Sequence, residues 1–198
     1  MATPTIDTNQ WYQLYTNEDK TSSLIGTSLF NRGGTTGAVF FNTTDTSTNV
    51  QRWQIFPVTV NGSTAYTIRS KDGGPNGFMG TGFNANGDTA TSTRPMMLRG
   101  DIANNTVFWS FNSWGDGTWF LTNAANNDQH LNRQGNGLLS MSSNITAPQN
   151  GQRWGLASIA KIDDEKYSSV NVRLQSCVFV QSNTDTLTVG CCIHYVGW

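Results

Sequence analysis

The chain has 198 residues, a formal net charge of −1 and 13% charged side chains, so it presents no basic face for nucleic acid or anionic lipid. Its 7 Trp, 10 Phe and 5 Tyr are too much aromatic mass for a disordered chain. At this length one domain can bury a sizeable core without disulfides or metal ions.

In chain order, the first predicted strand is WYQLYTN at 11–17, where Tyr12 and Leu14 lie two apart and so share one face. Ten residues after Leu14 comes a short apolar pair, Leu24 and Ile25, and then a third patch, AVFFN at 38–42. NVQRWQIF closes this first segment on Trp53. The order then recurs. YTIRSKD at 66–72 sets Tyr66 and Ile68 on one face, Phe78 and Met79 follow, PMMLRGD at 95–101 is the third patch, and TVFWSF closes on Trp109. A third pass runs from WFLTNAA at 119–125 (Trp119, Leu121) through Leu131 and GLLSMSSN at 137–144 to GQRWGL and Trp154.

Leu14, Ile68 and Leu121 are 54 and 53 residues apart, and the closing tryptophans are 56 and 45 apart. Turn-forming stretches such as NRGGTTG and NRQGNG separate the patches, and no segment sustains helical periodicity. Three units of four short strands predict an all-β repeat protein, in which each unit alone exposes an apolar face that only the assembly buries.

Two Gln-x-Trp closings (Gln51, Trp53 and Gln152, Trp154) and a Phe-Trp variant, in three such units, resemble the ricin-B-type lectins over about residues 8–160. The resemblance implies a β-trefoil, a six-stranded barrel capped by three hairpins, in a domain over 1–160. Past residue 160 the pattern ends, and 161–198 read as a polar linker and an atypical tail that either adds an edge strand or stays disordered. It implies a carbohydrate-binding module with shallow sugar pockets, no cofactor, and a glycan or glycoconjugate as partner. The tryptophans are expected in the core, and the glutamines are expected to bond turn backbone before any ligand.

In that family an Asp on the second strand, an aromatic ring and an Asn or Gln near the third strand hold the sugar. At the Asp position this chain has Gly26, Gly80 and Asn132; after the third strand it has Asn42, Asp101 and Asn144. The closing Gln is Gln51 and Gln152, but Val107 in unit two. Unit three is thus the expected site, with Asn132, Asn144 and Gln152, His130 and Gln134 nearby, and Trp114 as an aromatic partner or a cover over the barrel end. Lost Asp side chains weaken the fit to a galactose-type ligand.

No catalytic motif stands out, so no enzyme is expected. Two other readings stay open: a protein-interaction trefoil, or a protease inhibitor using the long loop 84–95. Neither a cleavable leader nor a run of about 18 apolar residues is visible. Fungal proteins that resemble this one carry a Ser/Thr-rich stalk and a membrane segment after the trefoil. Four Asn-x-Ser/Thr sequons, at Asn42, Asn61, Asn104 and Asn144, are about what chance gives at this composition. Cys177, Cys191 and Cys192 all fall in the tail and lack metal-site spacing, so compartment and oligomeric state stay open.

Overall fold

The computed structural model describes residues 4–17, 19–28, 33–60, 62–82, 94–99, 105–147, 149–174, 177–182 and 187–190. Asp101, most of the 84–95 loop, Cys191, Cys192 and His194 lie outside the described residues.

Six strands close a ring: β1 (Gln10–Thr16), β5 (Trp53–Val60), β6 (Ser63–Ser70), β9 (Trp109–Ser113), β10 (Trp119–Asn123) and β13 (Trp154–Lys161). Each pairs antiparallel with the next, and β13 returns to β1, so the barrel has no open edge. Three hairpins cap one end: β2 (Ser22–Gly26) with β4 (Val39–Thr43), β7 (Gly77–Gly82) with β8 (Arg94–Arg99), and β11 (Asn126–Arg133) with β12 (Leu139–Ser142). The two-residue strand β3 (Thr36–Gly37) joins the first cap to β8. This is a β-trefoil, and its threefold repeat is visible in single bonds.

The indole nitrogens of Trp53, Trp109 and Trp154 donate to the carbonyls of Leu24, Met79 and Leu131 at 2.9, 2.8 and 2.9 Å. Each tryptophan therefore pins its own cap to the barrel, and all three are fully buried. Opposite them in the ladder stand Tyr12, Tyr66 and Trp119. Leu14, Ile68 and Leu121, the inward residues two positions on, are fully buried in the same core. The expected aromatic–aliphatic pairs thus face one core. A further set joins consecutive units: Asn17, Lys71 and Ala124 donate their backbone N–H to the carbonyls of Arg153, Arg52 and Phe108.

The indole bonds also fix the register between units, and here the structure corrects the sequence alignment. Leu24, Met79 and Leu131 are equivalent, so Ile25, and not Gly26, stands with Gly80 and Asn132. Gly26 stands with Thr81 and Arg133. A side chain at Gly26 would collide with the Trp53 ring, 2.3 Å from a Cβ placed there, which is why the position is glycine.

The first and third units are tied by Asp19, 3.2 Å from Arg133. Hydrogen bonds from Thr21 and Ser22 hold the Asp19 carboxyl at about 2, with Arg133 adding to the shift. The chain just past residue 160 is docked on the barrel. Ile162, Tyr167 and Val170 are buried, and the Tyr167 carbonyl accepts from both Arg69 and Gln54. Arg69, 1% exposed, also donates to Gln54 and the Pro75 carbonyl and lies over the Tyr167 ring. Burial lowers its pKa to about 10, leaving it charged at neutral pH. Strands β14 (Ser169–Leu174), β15 (Cys177–Ser182) and β16 (Leu187–Gly190) then form a separate antiparallel sheet.

Trp154→Phe keeps the ring but leaves the Leu131 carbonyl buried without its donor; urea unfolding is expected to show a loss of about 1–3 kcal/mol. Asp19 is depressed relative to the unfolded chain, so its contribution is complete above the ordinary carboxylate value and disappears as pH falls through about 2. An Asp19→Asn variant is expected to lose that part of the acid dependence, measured by thermal unfolding between about pH 5 and 2.

Candidate functional site

Each unit places four positions around one outer pocket: one on the closing hairpin, five residues past the tryptophan of the preceding unit; one on the opening strand; one on the first cap strand; and the residue two before the closing tryptophan. In unit three these are Trp114, Phe120, His130 and Gln152. The hairpin turn carrying Trp114 uses Gly115 and Gly117, both at φ +85°, a conformation that side chains resist.

The four side chains interlock. Phe120 stacks on His130 with centroids 4.3 Å apart at 22°, and half-buried Trp114 packs on both rings, 4.5 Å from Phe120 and 5.5 Å from His130. The Trp114 indole donates to the Gln152 carbonyl at 3.1 Å. Gln152, 1% exposed, donates its amide to the Asn144 carbonyl at 2.9 Å and accepts from His130 Nδ1 at 3.2 Å. An amide oxygen only accepts, so Nδ1 carries the imidazole proton. Burial lowers the His130 pKa below 6.5, partly offset by the bond to Gln152. At neutral pH the pocket wall is therefore uncharged.

Asn132, half-buried, lies beside Gly151; a Cβ on that glycine would stand 2.9 Å from Asn132 Oδ1 and 2.2 Å from the Arg133 carbonyl oxygen. Gly151 makes room for this amide at the rim. Asn144 and Gln134 are exposed. At the outer edge Arg153 reaches Asp116 at 3.6 Å, and hydrogen bonds from Thr118 lower the Asp116 pKa. Phe120 escaped the sequence reading because it sits beside the core residues Trp119 and Leu121. Aligning the opening strands would have exposed it, since Gln13 and Thr67 stand at the same position.

In unit one, Gln51 is 2% exposed and donates to the Thr43 carbonyl at 2.9 Å, while its oxygen accepts from the Asp45 backbone N–H. Gln51 and Gln152 thus bond turn backbone, as expected of them. The same bonds make Thr43, and not Asn42, the equivalent of Asn144. Asn42 is exposed, and its side-chain oxygen accepts from the Thr43 N–H. Unit two has Val107 in place of the glutamine, and no side chain fits at Gly80, where a Cβ would lie 2.7 Å from both Leu98 and the Thr106 carbonyl.

Among the described residues no group of three or more His, Cys, Asp or Glu is placed to hold a metal ion. Among the described residues no helix is long and apolar enough to cross a membrane.

No family model matches the chain, and no curated protein matches it. Solved structures do. A mosquitocidal holotoxin aligns over 93% of this chain and 22% of its own, with a TM-score of 0.59 at 15% identity, so the chain spans about a fifth of that protein. The designed threefold-symmetric protein ThreeFoil aligns over 75% of this chain and 99% of its own, at TM-score 0.56 and 14% identity. SeviL, solved bound to asialo-GM1 saccharide, aligns over 77% of this chain and all of its own, at TM-score 0.52 and 17% identity. At these identities the likeness shows the β-trefoil fold.

His130 is held neutral in the folded protein, so its contribution is complete above 6.5 and falls as pH drops below that value toward the lower folded pKa. Proton NMR is expected to show one imidazole titrating below the ordinary range. His130→Phe, which borrows the residue of unit two, is expected to flatten the stability profile between about pH 7 and 5.

Proposed function

We propose that this trefoil is a carbohydrate-binding, lectin-like module whose site is the outer pocket of unit three. The observation that carries the reading is the half-exposed Trp114 packed at a tilt and edge-on against the stacked His130 and Phe120 rings, with Asn132 two residues from His130 on the same strand. A sugar ring has an apolar C–H face and a rim of hydroxyls, and it needs both an aromatic surface and amide donors and acceptors. Asn132 and the exposed Asn144 and Gln134 supply the polar rim; Gln152 and His130 hold the pocket in shape from beneath. The neutral site and the chain's net charge of −1 suit an uncharged glycan.

The neighbours in structure space support this reading. SeviL is described with a bound saccharide, and 31% of the chain of an exo-β-1,3-galactanase aligns with this one at TM-score 0.56 and 16% identity. The role assigned to this chain is binding: among the described residues the pocket wall of Trp114, Phe120, His130 and Gln152 carries no carboxylate of the kind glycoside hydrolysis uses.

A glycan array with the full chain, repeated with Asn132→Ala and Trp114→Ala, tests the proposal. Saturable binding to a defined glycan is expected, weakened at least about tenfold by either change, as loss of one buried hydrogen bond or one stacking surface gives. Binding that survives both changes would move the site out of unit three. No binding to any glycan would overturn the reading.

A further inference from the structure

The four pocket positions can be followed into unit two, where their chemistry is inverted. Trp114, Phe120, His130 and Gln152 correspond to Val58, Thr67, Phe78 and Val107. The change extends to the surround. By strand pairing Leu98 faces Phe78 as Asn42 faces Ser23 and Ser142 faces His130, unit three having one residue more between this pair and the carbonyl its glutamine holds. Phe108 stands where units one and three have Arg52 and Arg153. Val58, Phe78, Val107 and Phe108 are all buried and form one cluster, with Leu98 and Ala124 packed against it. The member of that cluster foreign to the trefoil is Val170, 1% exposed, at the start of β14.

We infer that the unit-two copy of the pocket is the docking site for strand β14, which follows the trefoil in this same chain, with Val170 as the anchor. Three observations converge on this occupant. Polar residues found in the other two units are replaced by apolar ones at Phe78, Leu98, Val107 and Phe108 together, and a solvated pocket gives no reason for such a change. The segment leading to Val170 is itself fixed, since the Tyr167 carbonyl accepts from Arg69 and Gln54, and the Tyr167 hydroxyl donates to the Lys71 carbonyl at 3.0 Å. Finally, β14 begins the sheet β14–β16, so this contact sets where that sheet joins the barrel. Unit two is thereby removed as a ligand pocket, which leaves at most two of the three units open to solvent ligands. The inference stands on packing and is independent of what unit three binds.

Hydrogen exchange of the full chain, read by mass spectrometry on peptides from β14–β16 and from β1, β9 and β13, tests it. Val170→Asp is expected to speed exchange in β14–β16 by about tenfold or more while the barrel strands exchange as before. Leu98→Asn, which restores the residue of unit one on the barrel side, is expected to act in the same direction. Unchanged exchange in β14–β16 with both variants would overturn the inference, as would exchange there that is already unprotected in the parent chain. An equal rise in the barrel strands would also overturn it, because Val170 would then be a core residue of the trefoil and not the anchor of a docked segment.

Discussion

Three indole hydrogen bonds organise this molecule. A buried tryptophan must find an acceptor for its one N–H, and in each unit that acceptor is the carbonyl of the inward residue on the first cap strand. One bond therefore joins cap to barrel and at the same time sets the cap's register. A slip of one residue would turn Leu24, Met79 or Leu131 out of the core and leave an indole unsatisfied. Loop lengths between the cap strands and the tryptophan vary freely around these bonds, as the 45- and 56-residue spacings between tryptophans require.

Because the scaffold is fixed this firmly, its outer positions can diverge. One set of coordinates around the barrel carries glutamine, serine and glutamine in unit one (Gln13, Ser23, Gln51), an apolar bed in unit two and an aromatic–amide cluster in unit three. The closing glutamine shows the divergence at atomic scale. In unit one its oxygen is met by a backbone N–H; in unit three a histidine side chain takes that place. The first arrangement ties the loop after the third strand back to the barrel, and the second ties an aromatic wall to it.

Much of the fold is legible in the sequence because its signals are periodic: aromatic–aliphatic pairs two apart, apolar patches ten residues on, and a closing tryptophan. Register between units is less legible. Gly26 and Gly80 look alike in the sequence, yet the indole bonds set them one position apart, and Asn42 likewise yields its place to Thr43. Of the site, Trp114, His130 and Gln152 could be named from the sequence directly, while Phe120 is masked by its core neighbours Trp119 and Leu121 and shows only when the opening strands are aligned. The docking of the segment after residue 160 is invisible to pattern reading. Tyr167 and Val170 are flanked by polar residues, and their burial depends on Arg69, 98 residues before Tyr167, and on the bed of unit two, 62 to 112 residues before Val170.

The pairing of β1 with β13 has a consequence for how the molecule forms. Strand β1 matches Gln10 to Lys161 at one end and Thr16 to Trp154 at the other, so the ring closes between strands from opposite ends of the trefoil. Such a topology has a high contact order, and chain-closure entropy must be overcome before the contacts that reward it exist. During synthesis the first strand emerges with one edge unmatched and waits until nearly the whole trefoil has followed. Over that interval the nascent chain has an open β-edge of the kind that pairs with other chains. For the barrel strands the vulnerable period is therefore synthesis, and ring closure ends it.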